Sequence, residues 1–219
     1  MIQGVILDVD GTLVLSNDAH AQAFVQAFAE HGYDIKFEQV RPLIGMGGDQ
    51  ILPRLVPGLS DEDEVGKAIT TRRKQIFSEQ LMPTLQAAPG ARDLLAEIRR
   101  RGLHTVVASS ATSEELGVLL KVARVDDLIE ATTTSSDAEA SKPAPDIVET
   151  ALGKRNLDPH QAIMIGDTPF DIESASKCGV GVIALRCGDF PDEQLANALA
   201  IYDDPADLLA HYDQSPLAG

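Results

Sequence analysis

Two aspartates one residue apart, Asp8-Val9-Asp10, close the apolar run Val5-Ile6-Leu7 and are followed at once by Gly11-Thr12. Three consecutive apolar residues that end near a glycine turn read as a buried parallel strand. A strand of that kind delivers its last residues to the crevice where α/β sheets bind ligands. Alternation along the strand sends Asp8 and Asp10 to one side and Val9 to the other. Carboxylates are expensive to bury unless a cation or hydrogen bonds compensate them, so the pair implies a metal ion, a proton held on one oxygen, or both.

Three later segments have the same form, a short apolar run that ends in chemistry-bearing residues, or a polar loop beside one. Val106-Val107-Ala108 leads into Ser109-Ser110, and Ser141-Lys142-Pro143 lies in a polar loop. Ile163-Met164-Ile165 leads into Gly166-Asp167-Thr168-Pro169-Phe170-Asp171. Together the four resemble the haloacid dehalogenase superfamily: DxDGT, a Ser or Thr after a strand, a Lys, then GDxxxD, in that order over residues 8 to 171. Within the superfamily the sequence is similar to the phosphoglycolate phosphatase and β-phosphoglucomutase-like members. Dehalogenases of the family carry a tyrosine where Asp10 stands here, so that activity is not expected. A response-regulator receiver also uses Asp, Ser or Thr, and Lys around Mg²⁺. It is about half this length and lacks DxDGT and GDxxxD.

The resemblance implies a role for each position. Asp8 is the nucleophile that forms an aspartyl-phosphate, and Asp10 protonates the leaving oxygen and then deprotonates water. A neighbouring carboxylate raises the pKa of Asp10 toward the range that proton shuttling needs. Asp8, the backbone carbonyl of Asp10, Asp167 and Asp171 form an oxygen donor set of the kind that Mg²⁺ takes. Asp171 also suits the first turn of a helix, where its charge would meet the dipole. Lys142 neutralises Asp8 and the phosphate together. Ser109 donates to phosphate oxygens, with Thr12 and Ser110 beside it, although Ser110 is first expected to cap a helix.

Elements must bring these residues to one place. From Pro89 onward helices and strands alternate: helix 90–101, strand 103–109, helix 112–122, strand 127–132, helix 144–155, strand 162–166, helix 170–178, strand 180–185 and helix 192–199. Such alternation means βαβ units and a Rossmann-like parallel sheet, an α/β fold. After Thr12 the pattern turns helical. Ala21, Phe24, Phe28 and Ala29 recur at helical spacing up to Gly32, and residues 36–81 continue so, with breaks at Gly45–Gly48 and Pro57-Gly58. The division expected is an α/β catalytic core of residues 1–15 and 87–219 with an all-helical cap of residues 16–86 inserted in it. The crossings at Leu13 to Ser16 and Met82 to Ala88 would let the cap gate the site, as lids do.

Two cap positions are candidates for substrate contact. His20 shares a helical stripe with Phe24 and Phe28, which also suits an ordinary core histidine, while mutase-like members carry a His at this distance from the nucleophile. Gly47 lies in a glycine-rich break that permits close backbone approach. Mutase-like members place an arginine where Gly48 stands, so the phosphatase is the reading and the sugar phosphomutase the alternative.

Composition bounds the rest. Of 219 residues 44% are hydrophobic and 24% charged, as in ordinary globular chains. The net charge of −16 argues against nucleic acid and anionic membrane as partners, since those bind through clustered Lys and Arg. Arg99-Arg100-Arg101 fits a helix C-terminus, where cations complement the dipole. No stretch reaches a membrane span and no signal segment is recognisable, so a cytoplasmic protein acting on a small phosphorylated metabolite is expected, a monomer by default. Cys178 and Cys187 fit no zinc spacing and read as reduced thiols.

Overall fold

The computed structural model describes residues 1–218. They divide into two units, one made of Met1–Leu15 with the chain from Gln86 onward, the other of Ser16–Leu85.

The first unit is built on a six-stranded sheet. Its strands are β1 (Gly4–Leu7), β2 (His104–Ala108), β3 (Ala131–Thr133), β4 (Ala162–Gly166), β5 (Gly181–Leu185) and β6 (Ala200–Tyr202). They lie in the order β3-β2-β1-β4-β5-β6, and each neighbouring pair is parallel. The chain builds outward from β1 to one side and then resumes at β4 on the other. The carboxyl ends of β1 and β4 therefore form the switch point at which open α/β sheets bind ligands. A central strand is covered on both faces and so reads as an unbroken apolar run. Val5, Ile6 and Leu7 are accordingly without exposure, each contributing roughly 1.5–3 kcal/mol by leaving water. Helices α5 (Ala91–Arg100), α6 (Ser113–Val122), α7 (Asp146–Lys154), α8 (Pro169–Lys177), α9 (Asp192–Leu195) and α10 (Pro205–Ala210) complete the unit, counted after four that precede them in the second. On α5, Leu94, Leu95 and Ile98 are buried on one stripe, while Arg100 and Arg101 at its end pair with Glu97.

Two expectations shift. The strand expected at 127–132 is only Ala131–Thr133, because 125–128 closes a turn through Leu128 N–H to Val125 O. The helix expected at 192–199 stops at Leu195. Leu199 gives its amide to Val182 O at 2.7 Å, and Ala200–Tyr202 then pairs with β5 as the edge strand. Sheet pairing outweighs local helical spacing there.

The second unit is helical: α1 (Asn17–Glu30), α2 (Phe37–Val40), α3 (Gly48–Leu55) and α4 (Glu64–Ile76), with no strand among its described residues. Ala21, Phe24 and Phe28 of α1 are buried with Ile51, Leu52, Ile69, Ile76 and Phe77. Ala29, expected on that stripe, is exposed, and Ala23 and Ala27 take the buried face instead. The breaks fall where glycine and proline punctuate, with Gly47 as the residue before α3.

The two chain crossings are paired within the first unit. Leu15 N–H donates to Gln86 O and Ala88 N–H to Leu13 O, both at 2.9 Å.

Candidate active site

Asp8 stands one residue beyond β1, where its amide continues the parallel ladder by donating to Ile165 O of β4 at 2.9 Å. That bond brings it beside Gly166-Asp167 at the end of the neighbouring strand. Both aspartates are buried. Val9, between Asp8 and Asp10, points into the core with no exposure, and Asp10 is half-buried.

Lys142 reaches the same point from the loop between β3 and α7. Its Nζ donates to Asp8 Oδ1 at 2.6 Å and to Asp171 Oδ1 at 2.8 Å, and the side chain is 1% exposed. Asp171 is fixed by its own helix. Thr168 caps α8, its Oγ1 accepting from Asp171 N–H at 3.2 Å. Thr168 N–H and Oγ1–H donate back to Asp171 Oδ2 at 3.0 and 2.7 Å. This reciprocal pair satisfies orphan donors at the helix start. Gly166 makes room for it, since a Cβ there would lie 2.6 Å from Asp171 Cγ.

One ammonium thus serves several carboxylates. Asp8, Asp167 and Asp171 present oxygens that lie within 4.8 Å of one another, all buried. Burial pushes the Asp8 carboxyl well above its usual range. Asp171, Asp167 and Asp10 add to this by like-charge repulsion, while Lys142 opposes it. Burial alone would lower the Lys142 ammonium, but Asp171 and Asp8 outweigh it and hold the group above its ordinary value, so it stays charged. The centre gathers hard oxygen donors whose charge a divalent cation would offset.

Asp8, Lys142, Asp167 and Asp171 are therefore brought together. Ser109 follows β2, 1% exposed; its Oγ accepts from Ala111 N–H at 3.1 Å, which leaves the hydroxyl proton for another acceptor. Ser110 does not cap α6. Thr112 does, in a capping box with Glu115, because it stands at the position from which a side chain reaches the third amide of the helix. The Oγ of Ser110 is buried without a hydrogen-bond partner among the described residues. Thr12, expected to touch substrate, is fully buried, and its Oγ1 donates to Asp167 Oδ1 at 2.8 Å. It holds the Asp167 carboxylate.

His20 and Gly47 belong to the helical unit. His20 stacks on Phe77 with ring centroids 3.9 Å apart, and Gly47 is buried ahead of α3. Both cysteines are free and half-buried. Sequence reasoning missed Thr168, although Thr168-Pro169-Phe170-Asp171 has the spacing of a capping box. It also missed Gly188, whose place beside Asp167 has no local signal.

Residues 5–185 match the family model described as haloacid dehalogenase-like hydrolase. PpaX of Caldanaerobacter subterraneus subsp. tengcongensis is 30% identical over 196 residues, covering 89% of this chain and 86% of that protein. A phosphoglycolate phosphatase of Rhodospirillum rubrum is 29% identical over 217 residues, covering 95% and 90%. The crystal structure of a hydrolase from Pseudomonas syringae superposes with a TM-score of 0.90 at 28% identity, covering 98% of this chain and 99% of that one.

Proposed function

The chain belongs to the haloacid dehalogenase-like hydrolase family, and we propose that it is a Mg²⁺-dependent phosphatase that hydrolyses a small phosphorylated metabolite through a phosphoaspartate at Asp8. The observation that carries this reading is the buried ion cluster in which Lys142 bonds Asp8 and Asp171 beside Asp167. A carboxylate held there by a buried ammonium is a fixed nucleophile rather than a mobile surface charge. The likeness to a phosphoglycolate phosphatase over 95% of the chain supports the same substrate class.

The reaction follows from the residues. Lys142 occupies Asp8 Oδ1, so Oδ2 attacks phosphorus, forming the Asp8–phosphorus bond as the ester P–O bond breaks. Asp10 gives its proton to the departing oxygen. It then takes one from water, which attacks phosphorus, releases inorganic phosphate and restores the Asp8 carboxylate. Lys142 balances charge on the transferring group, and Ser109 and Ser110 donate hydroxyl protons to its oxygens. Asp8, the Asp10 carbonyl, Asp167 and Asp171 would hold Mg²⁺, which when bound supplies charge for the equatorial oxygens and orients the phosphate. A cytoplasmic location accords with reduced thiols, and no described helix is long and apolar enough to cross a membrane.

The phosphomutase reading needs a second phosphate anchor, and Gly48 stands where that arginine would be. A ³¹P NMR time course with Mg²⁺ on a panel including phosphoglycolate, β-glucose 1-phosphate and pyrophosphate tests the proposal. Phosphate and free alcohol are expected. Glucose 6-phosphate appearing faster than phosphate, dependent on a bisphosphate primer, would replace the phosphatase with the mutase.

A further inference from the structure

The turn after β5 approaches the acidic centre from a side that none of the four sequence motifs occupies. Arg186–Gly188 forms one helical turn, closed by Asp189 N–H to Arg186 O at 2.8 Å, with Asp189 itself left-handed at φ 62°. Gly188 is buried, and a Cβ built on it would lie 1.9 Å from Asp167 Oδ2 and 2.5 Å from its Cγ. The backbone of Gly188 therefore lies against the face of the Asp167 carboxylate, with no room for a methyl group between them.

The same turn is anchored on three sides. Cys187 Sγ–H donates to Gly11 O at 3.2 Å, in the loop that carries Asp8 and Asp10. Arg186 spans Asp192 Oδ1 at 2.8 Å and Asp203 Oδ1 at 2.7 Å. Phe190, just beyond, packs edge-on against Phe170 of α8 at 6.3 Å, next to Asp171. Thr12 meanwhile holds Asp167 Oδ1. The Asp167 carboxylate is thus gripped at one oxygen by a hydroxyl and bounded at the other by a glycine backbone that is tied to the nucleophile loop.

We propose that the turn Arg186–Asp189 is a positioning element for the Asp167 carboxylate, with Gly188 as its determining residue and Cys187 as its tie to the Gly11 loop, and that it sets the affinity of the centre for a divalent cation. This rests on the reading that Asp8, Asp167 and Asp171 hold such a cation. A metal-binding carboxylate depends on the partners that fix its orientation, and loss of one such partner typically weakens binding about 10–100-fold. In Gly188→Ala the new methyl group would lie 1.9 Å from Asp167 Oδ2 and 2.5 Å from Asp167 Cβ, so more than a carboxylate rotation is needed to clear it. Asp167 Cβ is fixed by its backbone, so the turn and the end of β4 must move apart, and the ligand oxygen leaves its place.

The test is calorimetric titration of the chelator-treated, full-length protein with Mn²⁺ and with Mg²⁺, beside thermal melts in EDTA. Gly188→Ala is expected to bind at least about tenfold more weakly than wild type, with a lower metal-free melting temperature because the turn is displaced. Turnover should recover as metal is raised, so the change appears in the metal requirement and not in the KM for the phosphate ester. Cys187→Ala should bind the ion more weakly than wild type, and Cys187→Ser, which keeps a donor, should restore it. Wild-type affinity in a folded Gly188→Ala overturns the proposal. If that variant fails to fold, wild-type affinity in Cys187→Ala overturns it equally. A wild-type protein that binds neither ion would instead remove the metal reading on which the proposal rests.

Discussion

Replacing Lys142 by methionine removes an ammonium bonded to two buried carboxylates while nearly keeping side-chain length. Lys142 is 1% exposed and bonded at 2.6 and 2.8 Å, so water cannot take its place. Removing one partner of a buried ion pair costs roughly 3–5 kcal/mol, since the remaining charge is left without compensation. Asp8 tempers this, because burial raises its carboxyl above the usual range, so it takes up a proton more readily as pH falls. The lower figure, about 3 kcal/mol, is therefore expected at pH 8, shrinking toward pH 5, where each pH unit is worth up to about 1.4 kcal/mol. For a chain of this size that is a drop of about 6–12 °C in the melting temperature at pH 8. The assay is differential scanning fluorimetry in EDTA at both pH values, repeated with Mg²⁺. The ion should raise the melting temperature of Lys142→Met more than that of wild type, because three carboxylates then lack a counter-ion. In an Asp8→Asn background the same substitution should cost less. A Lys142→Met protein melting within about 1 °C of wild type at pH 8 in EDTA would refute the reasoning.

Asp8→Asn should lose at least about a thousandfold in kcat, since the amide is no nucleophile. Its metal-free melting temperature should equal or exceed that of wild type, because Lys142 keeps Asp171; a marked fall in stability would count against this. The Asp8 carboxyl is raised in the folded state, so the folded protein holds the proton more tightly than the unfolded chain. The metal-free wild type should therefore lose stability as pH rises above about 3.8 toward the folded-state value, and Asp8→Asn should lack that slope. EDTA should abolish phosphate release and Mg²⁺ restore it. Ca²⁺, with its larger coordination number, should not restore it, as a colorimetric phosphate assay will show. Burial, with help from Asp167 and Asp204, pushes the Cys187 thiol up to about 12. Native Cys187 should thus react with iodoacetamide at pH 8 far more slowly than in the denatured chain, as peptide mass spectrometry will show.

The parts of the molecule legible in the sequence are those where local pattern and tertiary demand agree. Val5-Ile6-Leu7 and Ile163-Met164-Ile165 are apolar on every position because central parallel strands are covered on both faces, so strand and site emerged together. Ala131–Thr133 and Ala200–Tyr202 are edge strands of three residues, too short for any period, and each is defined by its neighbour's carbonyls and amides. Ser109 and Lys142 are expected at the site from the motif alone. That Lys142 bonds Asp171 as well as Asp8 could not be read, because 29 residues separate the pair along the chain and a loop sets the distance. The bond between Thr12 and Asp167 could not be read for the same kind of reason. The strand order places it against Asp167, 155 residues away. Gly188 lies beyond the reach of any local rule, since the atom that excludes a side chain there belongs to another strand's loop.

The central claim is covalent transfer to Asp8, and trapping the acyl phosphate tests it most directly. The enzyme would be mixed with Mg²⁺ and a turned-over phosphate ester, quenched in acid, treated with borohydride and digested for mass spectrometry. Borohydride reduces an acyl phosphate to the alcohol, so the account predicts homoserine at position 8, dependent on substrate and absent when substrate is omitted. Steady phosphate release with Asp8 never reduced, or with the modification at Asp10 or Asp167, would contradict it.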